Sequence, residues 1–494
     1  MPRSSRTPGV LSFHQLPTSS LACPKMTQNG LMSLWNALIA SINEPGDGSS
    51  SFVSSAETCV SCSDLVRGSI LDGRGEELRG RSVVILTTDQ LSTALALFEL
   101  DGIARRIVIY PNESRLDYLP FVIDAASADA IVSDRTNVVA GSSPIRHFMP
   151  NANMLVPGNY NRSSQLQTEW ITFTSGTMGP PKLVVHTLLS LIGAIPCGAV
   201  PAEKIVWGTL YDIRRFGGLQ VFLRAALSGA SLVLSSPSES TSSYLARASS
   251  LGVTHIAGTP SQWRRALMSG SAHLIAPTYV RMSGEIADQG LLNQLRSVYP
   301  QARIIHAFGS SEAGTVFEVK DGVAGFPADL IGHSPNVEMK VENRTLRVRS
   351  SRTANRYLGN NAPSLKDADG FVDTGDMVDL RDGRYYFVGR RDGRINVGGL
   401  KVYPEEVEAV INRHHDVQMS LVRAKKNSIT GTVVIADVVL SSPSRLGSGD
   451  EQALQNDILQ FCRESLPSHK VPALIRFVPT LAIAESGKMI RRDA

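Results

Sequence analysis

The stretch Thr172-Phe173-Thr174-Ser175-Gly176-Thr177-Met178-Gly179-Pro180-Pro181-Lys182 decides how the rest of the chain is read. It follows the apolar stub Trp170-Ile171 and leads into a helix-like stretch, Leu188 to Ile195. Hydroxyls, glycines and one lysine packed this closely make a loop whose backbone amides approach a polyphosphate while Lys182 supplies positive charge. The loop differs from that of P-loop ATPases, because Lys182 follows two prolines and no Ser or Thr comes directly after it. Surface turns are built from the same residue types, so the loop alone leaves both readings open.

On either side of the loop, apolar β-rich runs alternate with helix-like segments. Before it come Ser82 to Leu86, Arg106 to Tyr110 and Ala130 to Val132, interleaved with Thr93 to Leu100 and Leu119 to Ala128. After it come Ser231 to Leu234, His255 to Ala257, Val280 to Met282 and Arg303 to His306. Buried strands alternating with helices predict a parallel α/β sheet. From 341 to 390 the texture changes to short strands and turns such as Asp382-Gly383, which predicts a small antiparallel subdomain. Beyond Arg390 a compact α+β unit is expected, with Pro404 opening a helix over Glu405 to Arg413 and strands near Gln418 to Val422 and Thr432 to Val439. The expected fold is therefore α/β: a large N-terminal domain of α/β sheets with a small β subdomain, then a small mobile α+β C-terminal domain. The expected boundaries are 1–56 for a partly disordered leader and linker, 57–391 for the large domain and 392–494 for the lid.

A chain of 494 residues exceeds what one core organises. Its 42% hydrophobic and 19% charged residues exclude wholesale disorder and membrane burial. A net charge of +4 over this length is too dilute to indicate a nucleic-acid or membrane-surface partner. Five scattered cysteines make no disulfide framework, and Cys59 and Cys62 lack the second pair or histidines of a zinc site, so a cytoplasmic enzyme is expected. His14, Gln15 and Pro17 interrupt the apolar run an export signal needs.

Four further motifs follow the loop in order. His306-Ala307-Phe308-Gly309-Ser310-Ser311-Glu312 ends a predicted strand on a carboxylate, the ligand type that magnesium prefers. Phe371-Val372-Asp373-Thr374-Gly375-Asp376 places two acceptor oxygens on a turn, a match for a vicinal diol. The segment from Phe387 to Glu408 is rich in Gly, Arg and Asp, and the C-terminus carries Ser486-Gly487-Lys488-Met489-Ile490-Arg491-Arg492. Each alone reads as a turn, a helix start or a solvated tail. Together and in this order they resemble the adenylate-forming superfamily of acyl-CoA synthetases, luciferases and peptide-synthetase adenylation domains. Met178 stands where that family has a hydroxyl, Leu183 where it has glycine, and Gly393 and Asn396 where it has Asp and Lys.

The resemblance implies ATP, Mg2+ and coenzyme A. It implies that Thr174, Ser175, Gly176, Thr177, Gly179 and Lys182 meet the β and γ phosphates, that Glu312 holds magnesium, and that Ser311 lies by the α-phosphate. Phe308, Gly309 and Ser310 would complete the nucleotide loop, and Gly284-Glu285 would wall the adenine. Asp376 and Arg390 would take the ribose, and Lys488 would touch both carboxylate and α-phosphate. Asp392 would be the pivot of the lid, with Gly398 and Gly399 facing the pantetheine tunnel after rotation. For the acyl pocket, Tyr211, Asp212, Gly217, Gly218 and His255 are the expected lining, with His186 and Trp263 as further candidates. Asp212 stands where many relatives have histidine and is read either as a partner for a substrate amine or as an ion-pair partner of Arg214 or Arg215. The expected reaction is ATP-dependent formation of an acyl-adenylate from a small carboxylic acid, then transfer to coenzyme A. Transfer to a carrier-protein thiol or a nitrogen nucleophile is an alternative, and a catalytically degenerate nucleotide-binding protein is another.

Overall fold

Two large sheets face each other across a pair of buried helices. The computed structural model describes residues 33–43, 51–135, 145–158, 165–174, 180–196, 204–333, 336–359, 362–397, 399–427, 431–442, 450–484 and 488–490. One sheet has seven strands, with Ser82–Ile85, Arg106–Ile109 and Ala130–Val132 parallel at its middle and Leu183–Thr187 and Arg356–Leu358 antiparallel at one edge. The other has eight; Ser231–Leu234, Val206–Thr209, His255–Gly258, Tyr279–Ser283 and Arg303–Ser310 run parallel, and Gly314–Val319 closes the edge antiparallel. The parallel strands are near-continuous apolar runs because both faces are covered.

Between the sheets lie helix Gln90–Leu100, buried at every residue, and helix Phe216–Ser228, whose Phe222 meets Phe98 edge to face at 5.2 Å. A helix apolar on all sides is stable only inside such a layer. The expected leader needs correction here. Helix Leu34–Asn43 packs Leu34 and Leu38 into this same core, its Leu34 N–H donates to the Asp101 carboxylate at 2.8 Å, and strand Phe52–Ser54 joins the eight-stranded sheet. The polar composition around 43–56 concealed the short strand Phe52–Ser54, which buries Val53. Residues 1–32 and 44–50 lie outside the described residues.

A five-stranded antiparallel sheet follows, including Thr345–Ser350, Val372–Arg381 and Arg384–Arg390. Then comes an α+β unit: the hairpin Ile395–Val397 and Leu400–Val402, helices Pro404–Ile411 and Glu451–Ser465, and the sheet of Val417–Asn427, Gly431–Leu440 and Leu474–Phe477. Met419, Leu421, Leu481, Ile483 and Met489 of this unit pack with Met268 of helix Pro260–Met268, so the lid is seated on the large domain. Among the described residues no helix is long and apolar enough to cross a membrane.

Candidate active site

The glycine-rich loop closes a hairpin. Strand Glu169–Phe173 pairs with Leu183–Thr187, and the Thr174 amide donates to the Lys182 carbonyl at 3.1 Å. Ser175, Gly176, Thr177 and Gly179 lie outside the described residues. Lys182 stands at the loop's far foot, its ammonium 5.1 Å from the centre of the Tyr357 ring. The Tyr357 hydroxyl in turn donates to Glu312 Oε1 at 3.3 Å. Burial and the Glu312 carboxylate push the Tyr357 phenol up, so it stays protonated as a donor. Tyr357 was not singled out in the sequence; it arrives because strand Arg356–Leu358 adds to the hairpin with Tyr357 opposite Val184.

The Glu312 loop is held from three sides. Gly309 and Gly314 permit a tight return between strands: a Cβ on Gly309 would stand 2.7 Å from the Gly314 carbonyl, and Gly314 has φ +72°. The Ala354 amide donates to the Glu312 carbonyl at 2.9 Å, and the Ala313 amide donates to Ser310 Oγ at 3.0 Å. His186 Nε2 lies 2.6 Å from the Ser311 carbonyl, and its Nδ1 lies 3.0 Å from Ser190 Oγ. Burial pulls the His186 imidazole down to about 4. The neutral ring therefore donates to the carbonyl and accepts from the hydroxyl, and it supports the loop instead of lining an acyl pocket. Phe308 stacks on Phe387 at 4.7 Å and Phe317 at 5.5 Å.

Asp376 and Lys488 meet the same cleft. Asp376 follows Gly375 at φ +71°, is opposite Arg390 in register, and has its Oδ1 3.5 Å from an Arg390 guanidinium nitrogen. Burial pushes the Asp376 carboxyl up to about 6; Arg390 and Lys488 pull against this, and Glu312 adds to it. Lys488, Glu312, Arg390 and Asp376 thus act on one volume although they come from three separate segments of the chain. Lys488 Cε stands 3.6 Å from where a Cβ on Gly284 would be, which sets the lysine side chain against that glycine. The Glu285 carboxylate takes the Ser261 amide at 2.9 Å on one oxygen and the Met489 amide at 3.1 Å on the other. A carboxylate at the start of helix Pro260–Met268 is favourable there, and it ties the residue after Lys488 to the large domain.

Asp392 lies in the exposed turn Arg391–Gly393, beside the Arg391–Asp373 ion pair at 2.8 Å. Gly399 is exposed with φ +89° and open space around it, and Gly398 lies outside the described residues. Tyr211 is buried, its hydroxyl donating to the Gly258 carbonyl at 2.7 Å and accepting from the Ser283 amide at 2.9 Å; burial pushes it up to about 12. Gly217 lies against that ring. Gly218 is obligatory, since a Cβ there would fall 2.2 Å from the Asp212 carbonyl.

Two sequence expectations change. Asp212 is fully committed to Arg214, which meets it with Nε and Nη2 at 2.8 Å and also donates to the Thr87 and Thr88 carbonyls. The pair is buried, so the ion-pair reading holds and the amine reading falls. His255 starts its strand at the edge away from Gly258 and stacks at 5.1 Å on both Trp207 and Tyr279, so it does not reach the cleft. Trp263 is fully buried against Tyr299.

For magnesium, Glu312 offers the hard donor set required, with one oxygen steadied by Tyr357 and set in the volume shared by Lys488 and Asp376. Cys62 shows no such aptitude for metal, because burial pushes its thiol up to about 12.

The description "AMP-binding enzyme" matches residues 106–352, and "AMP-binding enzyme C-terminal domain" matches 406–488. A mitochondrial acyl-coenzyme A synthetase of Rattus norvegicus is 27% identical over 75% of this chain and 68% of its own length. A 2-succinylbenzoate–CoA ligase of Staphylococcus epidermidis is 24% identical over 65% of this chain and 68% of its own. In some curated relatives the matched part is shorter, 48% of the length of one and down to 24% of another. The solved benzoate CoA ligase from Burkholderia xenovorans superposes with a TM-score of 0.76 at 17% identity, covering 93% of this chain and 99% of that one, which shows a common fold.

Proposed function

The chain belongs to the AMP-binding enzyme family, and from this we propose that it joins a carboxylic acid to ATP and passes the acyl group to coenzyme A. The observation that carries the reading is the arrival of Lys488 beside Gly284 in the volume that also holds Asp376 and Glu312. In the first step a carboxylate oxygen attacks the α-phosphorus, a new O–P bond forms, and the bond to the departing pyrophosphate breaks. Two anions must be brought together, so charge neutralisation and alignment are the chief demands. Lys488 supplies a cation at the attacking side. Lys182, pinned over Tyr357, supplies one at the leaving side. Glu312 would hold magnesium, which when bound adds charge neutralisation at the phosphates. Asp376 accepts the ribose hydroxyls, and Arg390 steadies it.

In the second step the thiol sulfur attacks the acyl carbonyl, the carbon–oxygen bond to AMP breaks, and the thiol proton is lost to solvent. Coenzyme A as acceptor is supported by the curated relatives, which are CoA ligases by name. Rotation of the lid about Asp392 would withdraw Lys488 and present the Gly399 hairpin, a motion that completes the site for the thiol.

The test is carboxylate-dependent ATP–pyrophosphate exchange across a panel of acids. Lys488→Ala should lower exchange by about 100- to 1,000-fold, the size of loss seen when a preorganised group at developing charge is removed. Thioester formation from supplied acyl-adenylate should survive. Equal loss in both steps would end the assignment of Lys488 to the first.

A further inference from the structure

Below Gly284, helix Phe216–Ser228 and strands Tyr279–Ser283 and Gly314–Val319 converge in a wedge, tied together by Thr315–Gln220, Arg224–Glu318 and Arg281–Glu318 contacts. At its mouth are Gly217, set against the Tyr211 ring, and Ser283, 2.9 Å from the Tyr211 hydroxyl. Below Ser283 the next residue on the same face of the strand is Arg281. Below Gly217 the same stripe of the helix carries Gln220 and Arg224. Thr315 closes the third side, donating to Gln220 at 3.2 Å.

Acyl pockets are largely apolar, and this wedge is cationic. Arg281 is paired tightly with Glu318, and Arg224 reaches the same Glu318 oxygen at 3.2 Å. Half-buried Arg352 donates weakly to the Thr315 and Val316 carbonyls at 3.4 Å. The charges acting on Arg224 are Arg281, Glu318 and Arg352, with the neutral phenol of Tyr279 beside them; Lys320 touches Glu318 from the solvent side at 3.4 Å. Two guanidiniums therefore share one carboxylate, and Arg352 stands within reach of the same charge. Arg224 has 9% of its side chain exposed, and the Nε atoms of both Arg224 and Arg352 have no hydrogen-bond partner among the described residues. Burial, and then the charge of Arg281, pull Arg224 down to about 10, which still leaves it a cation at neutral pH. Surplus buried cations are costly unless an anion meets them, and a guanidinium fork is matched by a carboxylate.

We propose that the wedge receives the far end of the acid substrate and that this end carries a second carboxylate, recognised by Arg224 and Arg352. The proposal rests on the adenylation reading above. A diacid would be activated at the carboxylate near Lys488 and held by the other, a register that a neutral acyl chain lacks.

The experiment is ATP–pyrophosphate exchange with matched pairs: octanoate against suberate, and benzoate against phthalate and terephthalate. At least one diacid should exceed its monoacid partner tenfold or more in kcat/KM. Monoacids equal to or better than diacids throughout would overturn the proposal while leaving adenylation standing. Exchange with no member of a broad panel would remove the adenylation reading, and this one with it. Arg224→Met should lower the diacid-to-monoacid preference at least tenfold, and Arg352→Met, at a less buried position, guards against a folding failure of the first. An unchanged ratio in folded preparations of both variants would likewise overturn the proposal.

Discussion

Asp212 and Asp376 each have an arginine as neighbour, and the two pairs are built differently. Asp212 gives both oxygens to Arg214 at 2.8 Å, inside a site where Arg214 has no exposed side-chain surface and spends its remaining hydrogens on two backbone carbonyls. Asp376 meets Arg390 at only 3.5 Å, and that arginine is 55% exposed. The closed pair has no acceptor capacity left for a ligand. The open pair leaves a carboxylate that the protein has partly stripped of water without fully compensating, which is the condition of a group waiting for hydroxyl donors. An Asp–Arg contact is therefore structural or functional according to what else the arginine touches.

The largest effect expected of this contrast is on stability. Asp212→Ala should cost about 3 to 5 kcal/mol in denaturant unfolding, because it strands a buried guanidinium. The milder Asp212→Asn, in whatever fraction folds, should keep the same relative activity on amino and non-amino acids; a selective loss on amino acids would restore the amine reading. Asp376→Asn should do the reverse, weakening adenosine binding by about 1.5 to 3 kcal/mol, the range for hydrogen bonds to a charged group, with little loss of melting temperature. Should Asp376→Asn unfold the protein and Asp212→Asn abolish nucleotide binding, the two roles would be exchanged.

A pH series sharpens the comparison. The folded Asp376 carboxyl lies at about 6, above the ordinary aspartate value, so its contribution to apo stability is full below that ordinary value and is lost as pH rises through about 6. Nucleoside binding runs the other way, since only the carboxylate accepts two hydroxyls. Adenosine, which carries no titrating phosphate, should bind roughly tenfold more weakly at pH 5 than at pH 7, and Asp376→Asn should flatten this dependence. A smaller effect is expected at the lid contact: Glu285→Ala, losing one interdomain hydrogen bond, should slow adenylation by about tenfold and spare the thioester step. Equal slowing of both steps would make Glu285 a wall of the nucleotide site and not a tie for the lid.

Which charged residues come together in the cleft was largely legible in the sequence. Lys182, Glu312, Asp376 and Lys488 sit on glycine-rich turns or chain ends whose local sequence both shapes the backbone and supplies the charge. Less could be read where a residue acts through a partner distant in sequence. Tyr357 reaches Lys182 and Glu312 only because its strand pairs beside Val184. His186 steadies a carbonyl 125 residues away. The aromatic at 308 and the histidine at 255 each pack against rings from other strands, contacts that no local stretch of sequence announces.

What the amino-acid order determined by itself was the alternation of buried strands and helices, the succession of glycine-rich loops carrying lysine or carboxylate side chains, and the glycines at their tight returns. These follow from periodicity and from backbone chemistry within a few residues, so no long-range contact has to be known. Tertiary structure alone decided which aspartate is closed off by its arginine, which histidine is a strut, that helix Leu34–Asn43 belongs to the core, and that Arg224 and Arg281 share one glutamate. Charge balance and burial are sums over neighbours brought together by folding, and no single segment contains enough of those neighbours to fix the result.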